Sequence, residues 1–566
     1  MKQLGKRAIV IGGSIVGMMA ARVLSERFES VIVLDRDPAP EGPFPHRSVP
    51  QGAHIHVLMS KGRSVLARLF PGIFEELTAD GALRTDSIQD LVWFHGGAWK
   101  ARMKSGIDFF LQSRPLIDWH VRRRLLQDCP NVELQTSVEA ERLYEMNGRI
   151  TGVSVRAGRK AGSLRLDCDL LVDSSGRGSR MPRWLGEMGY DAPEEQKVVV
   201  NIGYTTRLYE QPAKSDRDWS AMMIYPVAPR KKLGYIYPIE PDARGAKRRW
   251  IVTMAGVQGD HAPMDAEGFL NYARNLSRPH IYENIRDAKP VSNFSAFKFP
   301  ATRRLRYDRC KRLPEGFVSV GDSLATFNPI YGQGMSVGAI AVDLLESCLD
   351  KFGLQKLTKR YFRRAYWVVT FIPWLLVTAE DYRYEETKGK RPFGLPILHW
   401  YLNRVNRLAA QNARIATEFL KVLHFIRTPA ALGQPYILLR VIGNALGLYR
   451  PQVNPRAQDD YMALPPGEGL QASMRRKPSK SASSQKTKKR APAKNGARNS
   501  SSKAAKRPAA AGKKVGQKSA KKSTKKSAKK SATKSVSKSV SKSAAKSRSG
   551  SGGVARKGSR RAAARV

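Results

Sequence analysis

Ala8-Ile9-Val10-Ile11-Gly12-Gly13-Ser14-Ile15-Val16-Gly17-Met18-Met19, answered by Val31-Ile32-Val33-Leu34-Asp35, decides the fold. The run Ala8 to Ile11 is short, apolar and partly β-branched, the pattern of a buried parallel strand. It breaks into a glycine turn, after which Ile15, Met18, Met19 and Val23 recur at helical spacing. Val31 to Leu34 reads as a second strand that ends on Asp35. Around a dinucleotide each part has a role: Gly12 permits the tight turn, Gly17 lets helix and strand pack closely, and amides at the helix start face the pyrophosphate. Asp35 would accept hydrogen bonds from ribose hydroxyls. Ser14 stands where G-x-G-x-x-G has its second glycine, but serine is small and its hydroxyl donates to phosphate. The candidate nucleotide contacts are Gly12, Gly13, Ser14, Ile15, Val16, Gly17, Asp35 and Arg36. Lys2, Lys6 and Arg7 before an apolar run imitate a secretory leader, yet the glycine-serine interruption and the second strand argue against one.

The 566 residues carry 99 Lys and Arg against 48 Asp and Glu, a net +51 that divides unevenly. Residues 471–566 hold 32 of the basic residues and no acidic one, which leaves the preceding 470 with 67 basic, 48 acidic and a net +19. Lys, Ser and Ala dominate that tail and no aromatic residue occurs in it, so nothing offsets the entropy of ordering and disorder is expected. The tail resembles those of linker histones, which implies binding to DNA or RNA without sequence preference, and with it a nucleoid association. Cys129, Cys168, Cys310 and Cys348 are scattered with no C-x-x-C pair, as in a cytoplasmic protein with reduced thiols. No apolar run reaches the roughly 20 residues of a membrane span. Trp367 to Thr378 comes nearest and contains Pro373.

The rest of the chain falls into segments. Val49-Pro50-Gln51 leads to His54 and His56, which have no third ligand at usable spacing, so a metal is not expected. Ser113-Arg114-Pro115 places Arg114 near a helix start. Asp169 to Arg180 repeats the opening design, an apolar strand running into a small-residue turn. From Val198 to Gly256 closely spaced β-rich runs imply an antiparallel sheet inserted in the nucleotide fold. Phe317 to Asp322 is again a strand ending in an acid, and Asn328-Pro329-Ile330-Tyr331-Gly332-Gln333-Gly334-Met335 enters a helix. The expected organisation is α/β: a Rossmann-like nucleotide-binding domain in 1–196 and 301–350, a β-rich substrate lobe in 197–300, a helical region in 351–450, a linker in 451–470 and the basic tail. The apolar faces of the last helices serve the core or meet lipid at a membrane surface.

Three segments taken together, Gly12 to Gly17, Asp169 to Arg180 and Gly321-Asp322 to Gly334, resemble the three fingerprints of class A flavin-dependent monooxygenases. The details look closest to bacterial polyether epoxidases: Val49-Pro50-Gln51 with His54 and His56, Asp173 to Arg180, Arg249-Trp250-Ile251-Val252-Thr253, and Tyr307-Asp308-Arg309 through Gly332. Squalene epoxidase and aromatic hydroxylases are more distantly similar. The resemblance covers about residues 5 to 450. It implies FAD, with Asp35 on the adenosine ribose, Asp322 on the ribityl chain, Arg114 near the ribityl and phosphate part, and Pro329, Gly332, Gln333, Gly334 and Met335 bordering the ring. Ser175 stands where many aromatic hydroxylases carry Asp, a position associated with FAD and pyridine-nucleotide contacts.

The same resemblance implies reduction of FAD by NAD(P)H, a flavin C4a-hydroperoxide, and transfer of one oxygen atom to an apolar substrate by epoxidation or hydroxylation. Epoxidation of an isolated alkene needs no protein base; for a phenol the candidate bases are His54, His56 and Tyr331. A flavin-dependent reductase of the geranylgeranyl reductase kind shares these fingerprints and remains an alternative, as does a non-enzymatic flavoprotein tethered to nucleic acid by its tail. The W-x-W-x-I-P motif of flavin halogenases does not occur.

Overall fold

Gly5–Ile11 is the central strand of a five-stranded parallel sheet in the order Phe317–Ser319, Leu170–Asp173, Gly5–Ile11, Phe28–Leu34, Val132–Gln135. The computed structural model that shows this describes residues 3–449 apart from 46–48, 159–161, 214–216 and 243–246. The linker in 451–470 and the basic tail, with the expectations placed on them, lie outside the described residues. Ala8, Ile9 and Val10 are wholly buried, which is why the strand reads as an unbroken apolar run. The helix Ile15–Ser25 follows at once and packs against the helices Arg114–Asp128 and Gly334–Phe352. Two glycines make this approach feasible. Gly12 has φ of +105°, and a Cβ there would overlap the Ser174 carbonyl oxygen, while a Cβ on Gly17 would overlap the carbonyl oxygen of Gly12.

The inserted lobe is an eight-stranded sheet in the order Ala325–Thr326, Ser295–Arg306, Glu194–Glu210, Arg249–Gly256, Lys232–Ile239, Ala221–Ile224, Leu91–His95, Ala98–Trp99. Its pairings are antiparallel except that of Ala221–Ile224 with Leu91–His95, which is parallel. The last two strands come from within 1–196; at five and two residues they are too short for a period-2 alternation to announce them. Alternation sorts the longer strands cleanly. Trp250, Val252 and Met254 pack beneath the helices Ala266–Arg274 and His280–Ile285, while Tyr235, Tyr237, Ile251 and Ala255 face the C-terminal helices. Those helices are Ile372–Asp381, Leu395–Ala409, Ala413–Leu423 and Pro435–Ala445. A small sheet of Val138–Met146, Arg149–Ala157 and Leu164–Asp167 turns at Asn147-Gly148, with φ of +54° and +77° as a type I′ hairpin needs.

Candidate active site

The carboxyl ends of the central parallel strands lie along one edge of the sheet, beside which open α/β sheets bind ligands in a crevice. Asp35 follows the strand Phe28–Leu34, is buried, and lies against the glycine loop, since a Cβ on Gly13 would strike its Oδ2. Arg122 on the helix Arg114–Asp128 approaches the same oxygen at 3.7 Å, and the amide of Asp37 donates to Oδ1 at 3.0 Å. Arg36 is exposed. Ser14 begins the helix Ile15–Ser25 without capping it by its side chain, so the first-turn amides and the positive end of the helix dipole face the crevice.

The second fingerprint is a structural joint. Asp173, at the end of its strand and 1% exposed, accepts from the Ser175 amide (3.0 Å), the Ser175 hydroxyl (2.5 Å) and the Ser179 hydroxyl (2.6 Å), and from Ser319 and Ser323 at 3.4 and 3.3 Å. Ser323 in turn accepts from the Gly176 amide at 2.9 Å. The turn after one strand is thereby tied to the turn after its neighbour. Beside this joint Asp322 is partly open to the crevice; its protein surroundings push its carboxyl up to about 6, opposed by the cations Arg114, Arg177 and Arg303. Arg114 is the first residue of its helix, which Ser113 caps by accepting from the Leu116 amide at 3.2 Å. Its guanidinium binds Asp118 at 2.8 Å, while its stem passes Gly52.

The third fingerprint is held from behind. Asn328, wholly buried, donates through Nδ2 to Asp381 at 2.7 Å and accepts from the Ile330 amide at 3.2 Å, fixing the short turn Pro329–Tyr331. Tyr331 also donates to Asp381 at 3.2 Å, and Thr302 lies 3.4 Å from its other oxygen. From the large sheet Tyr225 donates to the Ile330 carbonyl at 2.6 Å, with the Tyr235 hydroxyl 3.1 Å from the same atom. Burial pushes Tyr225 up to about 12, so its hydroxyl keeps the proton that makes this bond. The helix Gly334–Phe352 then begins with no side-chain cap, and a Cβ on Gly334 would meet open space. Gln333 is buried and its Oε1 has no hydrogen-bond partner among the described residues. Met335 is buried in the core of the parallel-sheet domain.

His54 and His56 stand at the join between this segment and the large sheet. His54 bonds Thr206 at 2.7 Å through Nδ1, Thr206 bonds Thr253 at 2.6 Å, and His54 Nε2 is buried without a partner among the described residues. His56 Nδ1 contacts the His54 carbonyl at 3.0 Å. Burial lowers His54 to about 4, and burial with the Arg114 charge lowers His56 to about 3. Burial thus favours the neutral form of both rings and makes each a weaker base than a free imidazole. Among the described residues no group of His, Cys, Asp and Glu is arranged to hold a metal ion.

No protein-family model matches the sequence. Among curated proteins the chain is 30% identical over 351 residues to Protein Rv3254 of Mycobacterium tuberculosis (strain ATCC 25618 / H37Rv), spanning 60% of this chain and 72% of that one. The chain belongs to the Rv3254 family. Solved structures place this Rv3254-family fold among those of flavin-dependent enzymes. A flavoprotein/dehydrogenase from Cytophaga hutchinsonii superposes with a TM-score of 0.53 at 13% identity, over 78% of this chain and 99% of the other. PqsL of P. aeruginosa in complex with 2-aminobenzoylacetate gives 0.50 at 17% identity over 67% and 97%. A triple mutant of the flavin-dependent brominase Bmp2 gives 0.50 at 12% over 78% and 98%.

Two buried ionisable groups of this Rv3254-family chain escape a reading of its sequence. Asp381 ends the helix Ile372–Asp381, and burial raises it to about 7 against the lowering pull of its bonds to Asn328, Tyr331 and Thr302. Lys100, lowered to about 7 by burial, donates to the carbonyl and the side-chain oxygen of Asn406 at 3.0 Å each. Its ammonium lies 5.8 Å from the Trp93 ring and 5.6 Å from Phe419, beside a small cavity lined also by Leu91, Ala416 and Leu420. His95 shares Asn406 at 3.1 Å and stands edge-on to Tyr225. Neither group lies in a motif; the Tyr and Trp content of the sheet lobe is the one signal that marks this side of the crevice.

Proposed function

We propose that this chain is an FAD-dependent monooxygenase that takes electrons from NAD(P)H and places one atom of O2 on an apolar alkene or electron-rich ring. The observation that carries this reading is the convergence in one crevice of two uncapped helix starts, at Ser14 and Gln333, with two strand-end carboxylates, Asp35 and Asp322. That donor set fits FAD along its length. The amides from Ile15 to Gly17 would meet the pyrophosphate, Asp35 would hold the adenosine ribose, Asp322 and Arg114 would serve the ribityl part, and Pro329 to Gly334, with Gln333 Oε1, would lie toward the ring. When bound, FAD supplies the electron transfer and the activation of O2.

The remaining work belongs to the chain. The helix start at Gly334 favours negative charge beside it. Tyr225, Tyr235 and Asp381 fix Ile330 and Tyr331 so that the segment presents one shape, and the aromatic wall behind them keeps the space dry. An alkene needs no proton moved; for a phenol, Tyr331 and the two histidines orient the hydroxyl. A purified sample should be yellow, release FAD on denaturation, and consume NADPH or NADH when offered a panel of polyenes and phenols. With labelled O2 the product gains one labelled oxygen. A product that gains two hydrogens and no label would make the chain a reductase, and a colourless protein indifferent to added FAD would remove the enzyme reading altogether.

A further inference from the structure

Of the 19 large apolar side chains exposed among the described residues, 12 lie between Trp367 and Tyr449. Scattered exposed apolar residues are ordinary, but a cluster of this size on one helical region marks an interaction surface. Its core is the helix Pro435–Ala445, which packs against Leu395–Ala409. Ile437 and Val441 are buried and form one face. Leu438, Leu439 and Ile442 lie on the opposite side and are 42%, 69% and 42% exposed, continued by Leu446 at 69% and Leu448 at 77%. Among the described residues the helix is therefore apolar on the face with nothing packed against it as well as on its buried face. Leu395–Ala409 repeats the arrangement: Val405, Leu408 and Ala409 are buried, while Ile397 and Trp400 point outward, with Arg404 stacked on Trp400 at 4.1 Å and Phe393 fully exposed just before the helix.

Charge distinguishes the possible occupants. Residues 391–449 contain seven Lys and Arg and a single acid, Glu418, which is buried and bonded to Lys421 and Arg427. The sequence then continues, past the linker, into 96 residues with 32 further positive charges and no negative one. A second copy of this chain would bring the same charges against themselves. An outward apolar stripe carrying Trp with Arg, in a segment 391–449 whose one acid is buried, matches an anionic lipid surface, where apolar side chains enter the acyl boundary and cations meet the headgroups. No helix of the described residues is long and apolar enough to cross a membrane. We propose that the helices Leu395–Ala409 and Pro435–Ala445 dock this protein in the plane of an anionic bilayer, with the basic tail adding electrostatic attraction.

The full-length protein should sediment with vesicles of phosphatidylcholine and phosphatidylglycerol mixed at about 2:1, bind phosphatidylcholine alone weakly, and lose the difference at high salt. The triple variant I397N/L439N/L446N, altered only at exposed positions and checked by circular dichroism, should bind the mixed vesicles at least about tenfold more weakly. W400A, at a second exposed position, should act in the same direction. Unchanged binding by both variants would overturn the proposal. So would retention on DNA without any vesicle binding, which would give the basic tail a nucleic-acid partner. Dimers that dissociate in the triple variant, again without vesicle binding, would assign the apolar face to a second copy.

Discussion

The two walls of the crevice are built on different principles. The parallel-sheet wall works through backbone: strand ends, uncapped helix amides, and glycines at the two places where a methyl group would collide with a carbonyl. The opposite wall works through side chains, with Tyr225, Tyr331, Asn328 and Thr302 gathered on Asp381 or Ile330, and Lys100 and His95 gathered on Asn406. On the proposed function the first wall meets FAD, whose phosphates and riboses do not vary, so backbone geometry set by a few local residues would suffice there. The side-chain wall, which the proposed function gives to the substrate, draws its pieces from distant parts of the chain and keeps ionisable groups buried among aromatics. The difference predicts that damage to the first wall abolishes the fold or the cofactor, whereas damage to the second changes pH response and selectivity.

The hardest test of the backbone wall is Gly17→Val. The added side chain must displace the Gly12 carbonyl, so the cost should exceed about 4 kcal/mol and appear as loss of a cooperative urea transition. A variant that unfolds like the parent would show that the close approach is unimportant. On the side-chain wall, Asp381 offers a titration. Because burial raises it to about 7, between about pH 4 and 7 the folded protein holds a proton that the unfolded chain has released, and stability falls as pH rises through that window. The slope from this group approaches about 1.4 kcal/mol per pH unit. Asp381→Asn should flatten it in denaturation curves taken across the window, and an unaltered slope would assign the titration to another group.

With Asp322 on the ribityl chain as proposed, Asp322→Ala should weaken FAD binding by about 1–3 kcal/mol, roughly 5- to 150-fold, read from flavin occupancy on dilution. Equal affinity in parent and variant would take Asp322 out of the site. The smallest effect on the cofactor belongs to Lys100→Met. Its bonds run to Asn406 in the helix Leu395–Ala409, so flavin occupancy should stay at the parent value while the preference among apolar substrates shifts. Loss of flavin in that variant would mean that the two walls are not separable.

The same contrast explains what the sequence discloses. The glycine loop, Asp35, the Asp173 turn and Asp322 are legible because each signal spans fewer than about thirty residues and obeys a local period. Asn328 and Asp381 are 53 residues apart, Tyr225 and Ile330 are 105, and Lys100 and Asn406 are 306. Nothing in the local pattern around 381 or 100 marks a residue whose partner is set by the tertiary fold. Strands Leu91–His95 and Ala98–Trp99 are unread for a related reason, since their membership of the large sheet depends on pairing with Ala221–Ile224. Ser175 differs again: the motif is legible, but its hydroxyl is committed to Asp173, inside the turn.

The order of the parallel sheet bears on the protein's synthesis. Leu170–Asp173 is edged on one side by Gly5–Ile11 and on the other by Phe317–Ser319, a strand translated almost 150 residues later. At ordinary elongation rates of about 5–20 residues per second, that interval lasts roughly 7 to 30 s. Throughout it the emerging chain carries an apolar strand with one unpaired edge, a template for association with other nascent chains. The Asp173 joint cannot close either, because Ser319 and Ser323 have yet to leave the ribosome. Folding of the parallel-sheet half is thus timed by the completion of the inserted lobe, and slow translation between residues 174 and 316 would lengthen the period in which holdase chaperones are needed.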